Sequence, residues 1–148
     1  MKRTDAWVMA VGLVLLLLGS AAAQETTADW KKRILDPKTI GITPFPGSTL
    51  NKKITVDTIR YDKANKRIAV YMVPLDKQKE VMGYFTKTLG VEPVKGPPDA
   101  KGYDRFLFSL TGDGKYPPQA KGLTVIIMRS PWVDGTAQIQ MEYPPPAP

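Results

Sequence analysis

The stretch Leu75-Asp-Lys-Gln-Lys-Glu-Val-Met-Gly-Tyr-Phe-Thr-Lys-Thr-Leu-Gly90 has the pattern of an amphipathic helix. Its apolar residues recur at intervals of three and four, which places them on one side. Asp76 is the predicted N-cap, because its carboxylate can accept a hydrogen bond from the first turn. Gly90 is the predicted left-handed stop. A helix with one apolar side needs a sheet to pack against. That side consists of Val81, Met82, Phe85 and Leu89.

Five other segments have the composition of β-strands, with β-branched and aromatic residues in alternation. Two precede the helix and form a predicted hairpin, and three follow it. The predicted strands are Lys53–Tyr61, Arg67–Val73, Tyr103–Leu110, Leu123–Met128 and Thr136–Tyr143. Residues 91–102 are a predicted surface loop. The order β-β-α-β-β-β predicts an α+β fold: a five-stranded antiparallel sheet with one main helix packed on one face.

Residues 1–23 have the three parts of a secretory signal peptide. Lys2 and Arg3 give a positive start, residues 7–18 are apolar, and Ala21-Ala22-Ala23 is a cleavage pattern. An uncleaved membrane anchor is the alternative, although the apolar run is shorter than the about 20 residues of a span. We therefore expect a periplasmic or secreted protein that begins at Gln24 and touches a membrane only if the leader stays uncleaved.

The rest of the chain divides into three predicted parts. Residues 24–41 are an N-terminal segment with a short helix near Ala28–Leu35, and residues 42–143 are a single α+β domain. Pro144–Pro148 is a polyproline II tail, because proline cannot donate to a sheet. The chain has no cysteine, so neither a disulfide nor a lipid-modified cysteine can hold it, and its core must supply the stability.

The composition excludes several kinds of chemistry. The absence of histidine and cysteine removes the usual nucleophile–base pairs and the preferred zinc and copper ligands. We expect no catalytic residue, cofactor or metal site. A carboxylate hydrolase acting on envelope polymers remains an alternative. Its candidate residues are Asp57, Asp62, Asp104 and Glu142.

The positive charge is spread along the chain. The net charge is +7, or +6 once Lys2, Arg3 and Asp5 leave with the leader, and the lysines form no dense block. Nucleic acid is therefore not an expected partner. A weak attraction to anionic lipid or polysaccharide stays open.

An apolar stripe is predicted on the sheet face away from the helix. It consists of Tyr71, Val73, Leu107, Ile126 and Met128, with Trp132 close by in sequence. A stripe of this kind needs a cover. The cover is either the N-terminal segment with Trp30, Ile34 and Phe45, or a partner, which includes a second copy in a homodimer. A small-ligand carrier is a further alternative. Its cavity would lie between helix and sheet, lined by Val70, Phe85, Phe106 and Phe108.

Three motifs resemble a group of small exported bacterial α+β domains of unknown function. They are Phe45-Pro46-Gly47-Ser48, the helix end Tyr84-Phe85-Thr86-Lys87-Thr88-Leu89-Gly90, and Thr136-Ala137-Gln138-Ile139-Gln140 in the last strand. Those domains open with a Tyr/Phe-Pro-Gly-Ala/Ser segment, and the similarity spans residues 42–143. The resemblance implies a fold and an exported location and carries over no catalytic residue. The leader, the missing catalytic residues and the apolar stripe together predict an exported, non-enzymatic domain of the bacterial cell envelope. It would bind a protein or an envelope component through the sheet face or the Pro/Gly loops.

The leader gives the first testable prediction. The first residue of the exported protein should be Gln24, because cleavage follows the small residues at 21–23. Mass spectrometry of the exported fraction measures this directly. An exported product that still carries Met1–Ala23 would show that the leader is a retained anchor.

Overall fold

The computed structural model describes residues 27–148, so the predicted leader lies outside the described residues. The helices are α1 (Thr27–Arg33), α2 (Lys52–Tyr61) and α3 (Gln78–Leu89). The strands are β1 (Thr49–Leu50), β2 (Arg67–Pro74), β3 (Val94–Gly96), β4 (Arg105–Ser109), β5 (Thr124–Arg129) and β6 (Thr136–Tyr143). Short 3-10 turns lie at Pro37–Ile40, Leu75–Lys77 and Pro118–Ala120. None of the helices in this range is long and apolar enough to cross a membrane.

The strands form one antiparallel sheet in the order β1-β2-β6-β5-β4-β3. The predicted α+β class is confirmed, but the sheet has six strands rather than five. Helix α3 packs on one side, called the inner face, and α1 and α2 pack on the other, called the outer face. One main helix was predicted on one face, but the other face is covered as well, by α1 and α2.

The inner layer matches the predicted role of the central helix. Val81, Phe85 and Leu89 are buried in the main core, and Met82 is half-buried at its edge. The ring centroids of Phe85 and Phe108 lie 6.1 Å apart. The same core includes Ala137, Ile139 and Met141, which alternate along β6.

Of the two predicted ends of the central helix, the C-terminal one is confirmed and the N-terminal one is wrong. Gly90 closes it in the left-handed conformation with φ 63°, as predicted. Asp76 does not cap it, because Leu75–Lys77 form a 3-10 turn and the helix proper begins at Gln78. Lys77 occupies the N-cap position without a side-chain hydrogen bond.

The predicted strand Lys53–Tyr61 is wrong, because these residues form α2. The Asn51 Oδ1 atom accepts a hydrogen bond from the Ile54 N–H at 3.0 Å and starts the helix. Ile54, Thr55 and Ile59 are buried at helical spacing. The abundance of β-branched residues favours a strand, but this propensity is weak and burial of one side overrides it.

Two short edge strands were missed. In β1, Thr49 and Leu50 pair with Met72 and Tyr71, in place of the predicted hairpin. In the predicted loop 91–102, β3 pairs with β4 and is bounded by Pro93 and Pro97. Prolines next to an edge keep it short, because they cannot donate to a ladder. The predicted short helix of the N-terminal segment is present as α1.

The exposed Gly83 in α3 generates a stability prediction. Gly83→Ala should raise the free energy of unfolding by about 0.5–1 kcal/mol, because alanine loses less entropy in a helix. A Cβ at Gly83 would meet nothing within 4 Å. Urea unfolding measures the change. As a matched control, Gly90→Ala should destabilise, because φ is +63° and a Cβ there would lie 2.9 Å from the Lys115 nitrogen. A Gly83→Ala protein no more stable than the parent would contradict the placement of this residue.

The N-cap residue of α2, Asn51, generates a second stability prediction. Asn51→Ala should lower the free energy of unfolding by about 1 kcal/mol, because the Ile54 N–H loses its acceptor. Asn51→Asp keeps an acceptor at the same position and should stay near the parent. Equal losses in the two variants would show that the side chain does not cap the helix. Thermal and urea unfolding provide the comparison.

Candidate binding surface

Three of the five predicted partner-surface residues share the outer face. Leu107 pairs with Ile126, and Met128 follows two residues later on the same strand. Ile126 and Met128 are each only 8% exposed, and Leu107 is half-buried. Val94, opposite Leu107 on β3, is 69% exposed. The stripe therefore exists, but its centre is buried rather than open.

Tyr71 and Val73 were assigned to the wrong face. Both contribute to the main core on the inner side, and Tyr71 pairs with Leu50 and Ile139. Burial raises the pKa of the Tyr71 phenol, and the charge of Asp36 adds to the effect. The error arose because β2 is apolar on both faces. Alternation alone could not tell which set faces α3.

The N-terminal segment covers part of the outer face, as one interpretation expected. Trp30 and Ile34 pack against the second core. Phe45 does not join them, because it packs on the inner side with the Tyr84 ring 5.4 Å away. The second core consists of Ile54, Ile59, Ile68 and Val70, with Met72 at its edge.

Side-chain contacts of charged and aromatic residues hold α1 against this layer. The Arg33 guanidinium forms an ion pair with the Asp62 carboxylate at 2.7 Å, and both side chains are nearly buried. The Arg60 guanidinium lies over the Trp30 ring, 4.2 Å from its centroid. These contacts bind α1 to α2 over β2. Helices α1 and α2 thus cover the part of the outer face that β2 forms.

A ladder of polar side chains runs along the outer face of β6. The Gln138 amide donates to the Gln140 side chain at 3.1 Å, and the Gln140 amide donates to Glu142 at 2.7 Å. Lys66 donates to the other Glu142 oxygen at 2.6 Å, and this hydrogen bond raises the pKa of Lys66. Gln138 is 1% exposed, so this polar side of β6 is partly buried.

A groove lies between α2 and the turn at residues 130–135. Its volume is about 310 Å³. Trp132 is 71% exposed and Tyr61 is 85% exposed, whereas Ile54 is buried. The residues that line it are Lys53, Ile54, Asp57, Thr58, Tyr61 and Trp132. This set, called the aromatic groove below, combines two exposed rings with a short helix surface.

The turn that carries Trp132 has defined hydrogen bonds. The Ser130 Oγ atom accepts from the backbone N–H groups of Trp132 and Val133, at 3.3 and 3.2 Å. The Thr136 hydroxyl donates to the Val133 carbonyl at 2.7 Å. These bonds hold the turn, so the exposed indole is presented from an ordered backbone.

The charges inside the aromatic groove neutralise one another. Lys53 donates to the Asp57 carboxylate at 2.7 Å, one helical turn away. This hydrogen bond is the main cause of the lowered pKa of Asp57. With its charges paired, the groove offers mainly aromatic surface to a ligand.

The candidate carboxylates of the hydrolase alternative all have basic partners. Asp57 pairs with Lys53, Asp62 with Arg33, Asp104 with Lys95, and Glu142 with Lys66. In residues 27–148 no cluster of three or more acidic, histidine or cysteine residues could hold a metal ion. The four carboxylates act as ion-pair partners within the fold.

The residues of the carrier alternative do not share one lining. Val70 belongs to the second core on the outer side, whereas Phe85 and Phe108 pack in the inner core. Phe106 lines a separate surface depression with Gln78 and Arg129. The proposed cavity therefore does not arise from these residues.

Sequence reasoning named Trp132 but missed Tyr61, because residues 53–61 were taken for a strand. If residues 53–61 are interpreted as a helix, Asp57 and Tyr61 lie one turn apart on one side of it. The N-cap Asn51 was the available signal for that reading. Comparisons of the chain with protein-family models, with curated proteins and with solved structures find no match.

Proposed function

We propose that this chain is an exported, non-enzymatic binding domain of the bacterial cell envelope, and that its partner docks in the aromatic groove. The observation that carries the proposal is the exposure of Tyr61 and Trp132 on either side of one groove. Aromatic residues with an apolar body and a polar tip are enriched where proteins bind partners.

The energetic argument concerns the two exposed rings. Full burial of one large apolar side chain stabilises a complex by about 1.5–3 kcal/mol. Both rings stand exposed, so the domain gains little from them when it is alone. A partner that covers both gains an anchor pair at the centre of its interface. The paired charges of Lys53 and Asp57 avoid leaving an isolated charge beneath that partner.

The sheet edges favour a groove over strand addition as the mode of binding. Strand β1 has two residues and β3 has three. Pro93 and Pro97 flank β3 and supply no donor to an added strand. A partner that extends the sheet would find few hydrogen bonds at either edge.

The leader supports the location in this proposal. Its positive start, apolar run and small-residue end are typical of export. The cysteine-free composition suits a compartment in which stray disulfides could form. The partner would therefore be met outside the cytoplasm.

Site-specific photocrosslinking tests the docking surface in cells. A benzophenone amino acid in place of Tyr61 or Trp132 should give the same crosslinked partner, because both rings line one groove. Lys79, exposed on α3 on the opposite side of the sheet, is the matched control position. Crosslinks of equal strength from all three positions would contradict the proposal. So would an absence of crosslinks at 61 and 132 in a folded, exported protein.

A further inference from the structure

The segment that follows β6 has a special composition and is fully exposed. Pro144-Pro145-Pro146-Ala147-Pro148 pairs with no strand, and all five residues are exposed. Proline fixes φ near the polyproline II value, so this segment loses little conformational entropy when it binds. Aromatic-lined grooves are the surfaces that recognise such segments.

We propose that the aromatic groove binds a polyproline II segment, and that its occupant is Pro144–Pro148 of a second copy of this chain. The inference rests on the proposed function and adds the identity of the partner. Proline rings pack flat on indole and phenol rings, and their carbonyls accept hydrogen bonds from N–H and O–H groups. Trp132 and Tyr61 supply both the ring faces and these donors.

The dimensions agree. From Lys53 to Tyr61 the helix rises about 12 Å, at 1.5 Å per residue. Five residues of polyproline II span about 12 Å from the first Cα to the last, at about 3.1 Å per residue. The proline segment can therefore reach along the whole lined side of α2, from one end of the groove to the other.

The chemistry of the groove favours proline over a glycan. A glycan site needs polar side chains free to bind hydroxyl groups. The groove's charged side chains, Lys53 and Asp57, are already bound to each other. The remaining surface of the groove is mainly the two exposed rings. It suits a ligand with apolar rings and uncharged carbonyl groups, such as a proline segment.

The position of the segment points to a second copy rather than to the same chain. The Pro144 ring lies against Gly122, just before β5, whereas Trp132 lies in the turn just after β5. Six residues of strand, about 20 Å, separate those two ends. A run of prolines is stiff and cannot reverse at once to run back over its own outer face. Two copies can instead exchange their segments about a two-fold axis.

Salt distinguishes this partner from a polyanion. Two copies of a chain of net charge +7, or +6 without the leader, repel each other, while the proline contact carries no charge. Raising the ionic strength from about 0.03 M to 0.3 M screens that repulsion. Self-association should therefore become stronger with salt, whereas binding of an anionic glycan would become weaker.

The test begins with a peptide of residues 143–148, Tyr-Pro-Pro-Pro-Ala-Pro, added to residues 24–143. We expect saturable NMR shifts confined to residues 53–61 and 130–135, and none with the peptide in which alanine replaces each proline. Tyr61→Ala and Trp132→Ala should weaken binding at least tenfold. Val133→Ala is the matched control, because Val133 is exposed in the same turn but does not line the groove.

Sedimentation equilibrium then tests the second copy. Residues 24–148 should dimerise reversibly, and both the Trp132→Ala variant and the chain ending at Tyr143 should be monomeric at the same concentration. Mixing these two variants should restore a heterodimer, because one supplies the segment and the other the groove. A monomeric parent with a peptide that binds would overturn the second copy as occupant.

Failure of this inference is separate from failure of the proposed function. A peptide that does not bind, or binding of an anionic envelope polysaccharide in its place, overturns the proline inference. Crosslinks to a different protein from positions 61 and 132 would then still support docking in the groove. Crosslinks between two copies at those positions support both proposals.

Discussion

Strand β2 is apolar on both faces, and this constraint shapes the rest of the structure. Ala69 and Val73 lie in the inner core, while Ile68 and Val70 lie in the outer one. A strand of this kind cannot leave either face in water, so the sheet needs a second cover besides α3. Helix α2 provides it by burying Ile54 and Ile59. The aromatic groove forms along the side of α2 that faces the turn at residues 130–135.

The polar ladder on β6 sets the border of the helical cover. Gln138 and Gln140 have amide groups that must find partners when they are buried. They satisfy one another, and the chain of hydrogen bonds ends at Glu142 and Lys66. Strand β6 lies between β2, which the helical layer covers, and β5. The outer face is thus divided between a helical layer over β2 and the strip containing Ile126 and Met128.

Two ion pairs join elements of the outer layer to one another. Arg33 and Asp62 join α1 to the turn after α2, and Lys66 joins that turn to β6. Each pair links elements that are distant in sequence and close in space. Pairs that are partly shielded from water keep more of their attraction than exposed ones. The charged groups thus connect elements of the outer layer, and the exposed aromatic rings form the proposed binding surface.

Local patterns in the sequence determined the elements whose signals agree. The spacing of Val81, Phe85 and Leu89 placed α3, Gly90 ended it because glycine tolerates positive φ, and the alternation in β6 gave its inner face. Where two signals conflicted, only tertiary packing decided. Residues 53–61 have strand propensity but form a helix, because the outer side of β2 needed cover, and β2 itself gave no alternation to read. Strands β1 and β3 are too short to show an alternation of apolar and polar residues in the sequence. They form only because a neighbouring strand pairs with them. The groove belongs to this second kind: Tyr61 and Trp132 are far apart in the chain, and only the packing of α2 beside the turn at 130–135 brings them to one site.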